Sequence, residues 1–320
     1  MSETPRFSLT QLEYVMAVHK VGHFAKAAKQ CQVTQPTLSM QIQKLEADLG
    51  VVLFDRSKKP ILITQAGQAL VEQMHKVLRE AQKIESIIVS QTSAVPAGTL
   101  VIGVIPTIAP YLLHRFLPIL KKRYPAIAIT IRELQTHQIV ETLQSDETDV
   151  GILATPLKIQ QIFEIPLYYE PFSVLCGSGH EYAKLKYASY EKMKLDDLWL
   201  LEEGHCLRHQ MLDVCAARAK RTIPHGQFKF ESGSLETLKN IVSTCGGFTL
   251  MPSLAADRLD PSTRMVEFER PIPARQVGLV YRREHHKANL IELLGDVILE
   301  SIPEKVRKLR QRDLDVLAVN

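Results

Sequence analysis

Between residues 9 and 50 the apolar positions fall into three short blocks at helical spacing. In the first, Leu12, Val15 and Met16 share one face, and Ser8 or Thr10 stands where an N-cap belongs. The second, HFAKAAKQC, carries Ala25, Ala27 and Ala28, small enough to let another helix approach closely. In the third, QVTQPTLSMQIQKLEADLG, Thr34 is a natural N-cap and Pro36 falls in the first turn, where its missing N–H costs little. Its Leu38, Ile42, Leu45 and Leu49 are spaced 4, 3 and 4, giving one buried stripe, and Gly50 is a stop signal. LFDRSKKPILITQAG then places a short basic loop between two β-prone pieces. Further on, Leu70, Met74, Val77, Ala81, Ile84 and Ile88 recur at 4, 3, 4, 3 and 4, in a segment without proline. Such a 3.5-residue period is the seam of a dimerising helix, or else the inner face of an amphipathic helix lying on its own domain. SAVPAG at 93–98 follows as a hinge.

From Gly98 onward strand-like and helix-like runs alternate, the mark of an α/β fold. TLVIGVI predicts a strand, IAPYLLHRFLPILKKRY a helix, AIAITIREL a strand, HQIVETLQSDET a helix and DVGILA a strand. LYYEPFSVLCG, WLLEE, QFKFES and GGFTLMP predict further short strands, with helices after the third and fourth. ARQVGLVYRRE adds one more strand and ANLIELLGDVILESI a closing helix. The domain plan is therefore a head over 1–65, a linker helix over 66–92, an α/β domain over 93–310 and a tail over 311–320.

Composition narrows the class. Hydrophobic residues make up 45% and charged residues 23% of the 320, ordinary values for a soluble chain long enough for about two domains. The opening MSETPRFSLTQLEY lacks the basic-then-apolar order of a signal peptide, and no apolar run approaches the roughly 20 residues of a membrane span. The expected compartment is the cytoplasm, with no membrane partner. Disulfides there are transient, catalytic or sensory, and five cysteines, an odd number, do not make a fully paired framework. The net charge of +4 is mild. Seven Lys/Arg against three Asp/Glu between Lys20 and Pro60 concentrate positive charge in the head, the footprint of a nucleic-acid partner.

The polar side of the third block presents Pro36, Thr37, Met40 and Lys44, with Gln43 beside them and Gln35 at its tip, and Thr34 and Ser39 join the candidate DNA contacts. Glutamine can pair two ways with adenine, and apolar groups can touch the thymine methyl. Arg56, Lys58 and Lys59 on the basic loop would reach phosphates, which supply affinity and salt dependence rather than sequence choice. A plain amphipathic helix with a polar face shows the same periodicity. Two tightly joined helices, the second polar-tipped and flanked by basic residues, favour a helix-turn-helix. Taken together, FAKAAKQCQVTQPTLSMQIQKLEADLGVVLFDR followed by TQAG resembles the DNA-binding domain of LysR-type transcriptional regulators. The resemblance implies an all-α winged helix-turn-helix head joined by a long dimerising linker helix to an α/β effector domain. That domain would hold two subdomains, like periplasmic solute-binding proteins, the chain crossing over near residue 170 and back near 275. Gln43 stands where many family members carry a basic residue.

Thr107, Thr136, Cys206 and Ser234 each follow a predicted strand and precede or begin a helix. Ligands of open α/β sheets bind at such ends, where helix N-termini offer free amides, although each residue alone would pass as a simple cap. A thiol is a weak acceptor and so an odd cap. His205 and Arg208 flank Cys206, and His209 follows one turn on, so positive charge and the helix dipole should favour the reactive thiolate. Peroxide would convert it to a sulfenic acid, with which a second cysteine could condense, and Cys215 is the obvious candidate. Nine residues of helix separate the two Cα atoms by about 13 Å on opposite faces. A disulfide needs roughly 4.4–6.8 Å, so a helix over 207–219 would have to unwind in part. Cys31, Cys176 and Cys245 read as small buried hydrophobes. A zinc site from His205, Cys206 and His209 lacks a second ligand cluster, and neither metal nor cofactor is expected.

VIGVIPTIAPYLL, ELQTHQ, LEEGHCLRHQMLDVC, SLETLKNIV and RQVGLVYR resemble the OxyR-type hydrogen-peroxide sensors of the LysR family. The resemblance implies that Cys206 is peroxidatic and Cys215 resolving, and that Thr107, Thr136 and His205 form the peroxide pocket with Arg275 as its basic residue. Arg208 and Ser234 join that pocket by position. His209 departs from the family, which usually has an aspartate there, and residues 216–230 diverge as well. The implied protein is a peroxide-sensing transcriptional regulator and not an enzyme. Its partners would be double-stranded DNA, further copies of itself as dimer or tetramer, RNA polymerase, and a thiol reductant system that resets the switch. The nearest rival is a LysR-type regulator that binds a small organic effector in the cleft, both cysteines inert. A thiol peroxidase leaves the head without a role, and a solute-transport protein fits neither the head nor the first residues.

Overall fold

The computed structural model describes residues 6–92, 96–189, 193, 197–216, 233–256, 259–282 and 287–319, with the backbone alone at 79, 82, 83, 85–92, 215 and 216. Two compact units meet at the boundary of residues 92 and 93.

The first unit opens with α1 (Leu9–Val21), where Ser8 and Gln11 form a capping box. The Gln11 amide donates to Ser8 Oγ at 3.3 Å and the Ser8 amide donates to Gln11 Oε1 at 2.9 Å. α2 (Phe24–Gln30) buries Ala27 and Ala28. α3 (Gln35–Leu49) begins at Thr34, whose hydroxyl accepts from the Thr37 amide, and stops at Gly50. The φ of 67° at Gly50 lies in the left-handed region that glycine adopts without a Cβ penalty. Leu38, Ile42 and Leu45 are fully buried and pack with Leu12, Val15 and Val18 of α1 in one core. β1 (Phe54–Asp55) and β2 (Leu62–Ile63) pair antiparallel, Phe54 opposite Ile63, and form the wing. α4 (Gln65–Thr92) is a single 28-residue helix. Its seam divides. Val71 and Met74 belong to the head's core, with Leu70, Val77 and Leu78 against it, whereas Ile84 is 64% exposed. The first turns thus lie on their own domain, and the apolar seam continues beyond it.

The second unit is an α/β domain. It runs β3 (Gly98–Val104), α5 (Ala109–Arg123), β4 (Ile127–Glu133), α6 (Thr136–Gln144), β5 (Val150–Thr155) and β6 (Ile162–Gly177). There follow α7 (Cys206–Ala216), α8 (Leu235–Cys245), β7 (Phe248–Pro252), β8 (Thr263–Glu267), β9 (Ile272–Arg282), α9 (Ala288–Ser301), α10 (Glu304–Arg307) and β10 (Leu314–Val316). β3 lies parallel between β4 and β5, and β9 runs antiparallel to both β5 and β6. The first half of β6 pairs with β9, and its second half carries β7 and β8 as the sheet of the second subdomain. β6 and β9 are therefore the two crossings. A bulge between Pro166 and Tyr168 shifts the register, and beyond it Glu170 faces Arg275, at the expected crossover.

Several sequence-based expectations change. WLLEE is no strand: Leu198 makes one isolated bridge to Phe248, and Trp199 is tied by its amide to the Phe248 carbonyl and by its indole to the Gly246 carbonyl. Single bonds satisfy this run, so its apolar character reflects burial rather than a ladder. QFKFES lies outside the described residues. β7 is followed by a short 3-10 turn over Ser253–Ala256 where an α-helix was expected. The supposed tail is packed. Leu314–Val316 pairs parallel with β9, the Leu317 amide donates to the Ala274 carbonyl at 2.9 Å, and Gln210 of α7 donates to the Ala318 carbonyl at 3.4 Å. No helix among the described residues is long and apolar enough to cross a membrane.

Candidate functional site

Cys206 is the first residue of α7 and is 6% exposed. It is delivered there by Gly204, whose φ is 92° and where a Cβ would come within 2.8 Å of Gln135 Oε1. Gln135 caps α6, so the bare glycine lets the entry to α7 lie against the start of α6. The thiol thereby reaches the side chain of Thr136, with which it hydrogen-bonds.

Arg275 lies behind it, fully buried. Its Nε and Nη2 donate to Glu170 Oε2 at 2.9 and 2.7 Å. Its Nη1 and Nη2 donate to the hydroxyl and carbonyl oxygens of Thr107 at 2.9 and 3.0 Å. The other oxygen of Glu170 accepts the Leu254 amide at 3.0 Å. Thr107, at the end of β3, and Arg275, on β9, thus form one buried group next to the thiol.

Burial pushes the Cys206 thiol up. The charge of Arg275, the hydrogen bond from Thr136 and the amides of Leu207 and Cys206 pull it down, in that order, and burial wins. This corrects the expectation that charge and dipole together would favour the thiolate. The group loses more hydration than its partners return.

Two predicted pocket residues have other work. Arg208 turns its Nη1 to the Leu201 carbonyl at 2.5 Å, so the cation that acts on the thiol is Arg275. Ser234 is the N-cap of α8, accepting from the Thr237 amide at 3.3 Å. His205 is buried, with Nε2 3.5 Å from Glu202 Oε1. A Cβ added to Gly233 would stand 2.7 Å from that same nitrogen, so the imidazole is wedged in place.

A cleft of about 410 Å³ opens beside Cys206. His209 shares its α7 wall, Thr136, Val140 and Glu141 form the α6 wall, and Val319 closes it. Glu170, Gly204 and Val319 were not among the predicted residues. Glu170 was visible as a lone carboxylate inside the apolar run LYYEPFSVLCG, a pattern that calls for a buried partner. Val319 lies in LDVLAVN, a run apolar at five of seven positions whose strand signal the tail assignment passed over.

The second cysteine of the predicted pair, Cys215, has helical backbone within α7, and its side chain lies outside the described residues. Cys176 is fully buried and pushed up to about 11 by burial, and it donates to the Arg264 carbonyl at 3.6 Å. Cys31 is half-buried, its thiol raised by burial and then by Glu13. Cys245 is exposed, contrary to expectation, because α8 ends there and the stripe of Leu235, Leu238 and Val242 runs out before it. No group of three or more metal-ligating side chains occurs among the described residues.

On the head, Thr34, Gln35, Pro36, Met40, Gln43 and Lys44 are exposed, and Thr37 and Ser39 are half-buried. Arg56 is clamped by Glu46 at 3.0 Å and lies 5.0 Å over the Phe24 ring. Glu46 also accepts the Leu53 and Phe54 amides, so this ion pair locks the wing to α3. Lys58 stands exposed at the wing tip.

Both units have known relatives. Residues 9–68 match the bacterial regulatory helix-turn-helix protein, lysR family, and residues 93–303 match the LysR substrate binding domain. The hydrogen peroxide-inducible genes activator of Dickeya chrysanthemi is 37% identical over 304 residues, covering 94% of this chain and 98% of that protein. The full-length OxyR of Pseudomonas aeruginosa, solved with one cysteine substituted, superposes with a TM-score of 0.74 at 33% identity, covering 96% of this chain and 99% of that one. A cysteine-substituted OxyR of Corynebacterium glutamicum with hydrogen peroxide bound gives a TM-score of 0.62 at 30% identity, covering 94% of each chain. Matched in both units and alike along nearly its whole length, the chain belongs to the LysR family of bacterial regulators, among the hydrogen peroxide-inducible genes activators.

Proposed function

We propose that this protein is a cytoplasmic, DNA-binding activator of oxidative-stress defence genes whose signal is hydrogen peroxide and whose sensor is Cys206. The observation that carries this is the placement of a buried thiol at a helix start, hydrogen-bonded to Thr136, within the field of Arg275 and open to a cleft. Sulfur attacks one peroxide oxygen, the O–O bond breaks, and the other oxygen leaves as water once protonated, so that Cys206 becomes a sulfenic acid. The thiol of Cys215 then displaces the hydroxyl as a second water and forms the disulfide. Two thiols lose two electrons and peroxide gains them.

α7 is helical over Cys206–Ala216, which spaces the two Cα atoms about 13 Å apart. The bond therefore requires α7 to unwind in part, and that unwinding is the switch. The chain acts as a homo-oligomer joined through α4, with the exposed face of α3 in the major groove and the wing on phosphates. RNA polymerase receives the output, and a thiol reductant system resets it.

After a stoichiometric peroxide pulse, mass spectrometry should find Cys206 and Cys215 in one disulfide while the DNA footprint changes in the same sample. If Cys215→Ser keeps a peroxide-responsive footprint and transcription, the disulfide step is wrong. On the head, Lys58→Ala should weaken binding to all sequences alike and lower the slope of log affinity against log salt by about 1. A slope unchanged from wild type would remove Lys58 from the phosphate contacts.

The volume of the cleft favours one rival, a small organic effector with both cysteines inert. Slow, unselective oxidation of Cys206 is the outcome that would select it.

A further inference from the structure

Glu170 takes no part in the chemistry above, yet its carboxylate is buried to 1% exposure. It sits on β6 directly opposite Arg275 of β9. One of its oxygens receives both Nε and Nη2 of Arg275, and the other receives the Leu254 amide. Thr107 grips the guanidinium independently, through its hydroxyl and its carbonyl, so Glu170 is not the sole anchor of the cation. Tyr168 registers both charges. Burial raises its hydroxyl most, Glu170 raises it further, and Arg275 pulls it down. In a site this dry, a carboxylate 2.7 Å from a guanidinium cancels much of the field that a third group feels.

Building on the assignment of Cys206 as the sensor, we propose that Glu170 is a restraining residue for it. By offsetting the charge of Arg275, Glu170 keeps Cys206 mostly protonated and so sets the peroxide level at which the switch responds. A lone Arg275 would stabilise the thiolate more strongly and make the sensor quicker and less selective. The remaining charged or titratable groups around the thiol are unaltered in the test. Among the described residues they include His205, Arg208 and His209 around the start of α7, Glu202 beside His205, His137 and Glu141 on α6, and Tyr111, Tyr168, Arg115, Glu236 and Lys239 on the side of Arg275 and Glu170.

The test is the pH profile of iodoacetamide alkylation in the full chain, read on the Cys206 peptide by mass spectrometry, with its rate of oxidation by hydrogen peroxide measured alongside. In Glu170→Gln the midpoint should fall by about one pH unit and the rate below the midpoint should rise about tenfold. Glu170→Asp keeps the charge and should bring the midpoint back toward wild type, which a purely structural role would not require. A midpoint in Glu170→Gln equal to or above wild type overturns the proposal. Should that variant not fold, the double variant Glu170→Gln/Arg275→Gln removes both charges together. If Glu170 offsets the cation, its midpoint stays within about half a unit of wild type, and a larger rise overturns the proposal. Failure of the sensor assignment looks different: wild-type Cys206 would then be oxidised no faster than the exposed Cys245.

Discussion

Replacing Cys206 by serine is expected to abolish the peroxide response while leaving the fold and the DNA affinity of the unstimulated protein intact. Serine is of similar size, and its hydroxyl can keep the hydrogen bond to Thr136 at the start of α7. It has no sulfur to oxidise, and none of the other described cysteines stands at a helix start beside Thr136 and Arg275. Cys176 is fully buried with its thiol raised to about 11, Cys31 lies in the head, and Cys245 is exposed at the end of α8. Peroxide consumption should fall to the level of the four remaining thiols, and the footprint should no longer change after a pulse. A Cys206→Ser protein that still alters its footprint would move the sensor elsewhere.

Arg275→Met is expected to have the largest effect on stability, a loss of about 3–5 kcal/mol, because it leaves the Glu170 carboxylate buried without a counter-charge. Chemical denaturation of the reduced protein, followed by circular dichroism, reads this directly. The sign on reactivity is equally definite. Arg275 pulls the Cys206 thiol down against burial, so its removal raises the thiol further and slows alkylation at neutral pH. Pairing it with Glu170→Met should recover most of the stability, since an apolar pair of similar volume replaces a buried ion pair at little cost, and should bring alkylation back toward the wild-type rate, because the two opposed charges leave together. A loss below about 1 kcal/mol for the single variant would mean that water reaches the pair.

The head was legible in the sequence nearly residue by residue. Caps at Ser8 and Thr34, the stripe Leu38, Ile42 and Leu45, and the stop at Gly50 are local signals, and short helices obey them. The alternation from Gly98 to Thr155 was legible for the same reason, β5 being apolar nearly throughout, β4 alternating apolar and exposed positions, and a helix separating each strand from the next. What escaped depends on distant partners. WLLEE owes its apolar residues to the burial of Leu200 and Leu201, and no ladder extends it, only the bridge at Leu198 and the Trp199 amide reaching Phe248 of β7. Leu314–Val316 is a strand only because the edge of β9 is there to receive it. Within the site, Thr107, Thr136, His205 and Arg275 could be named, and the structure puts Thr136 on the thiol and Thr107 on Arg275. Arg208 and Ser234 occupy the expected positions but spend their polar groups on local carbonyl and amide partners. The direction of the thiol shift was misjudged because charge is visible in a sequence and desolvation is not.

The end segment acts as a strap. Leu314–Val316 is laced to β9, Leu317 is held at Ala274, the neighbour of Arg275, and Ala318 is held by Gln210 on α7. It therefore binds the strand that carries the cation and the helix that carries the thiol into one frame. Unwinding α7 must loosen that lacing, so residues 314–319 contribute to the threshold of the switch although none of them takes part in its chemistry. Sensitivity to peroxide could drift in evolution through this strap while every reacting group stayed the same.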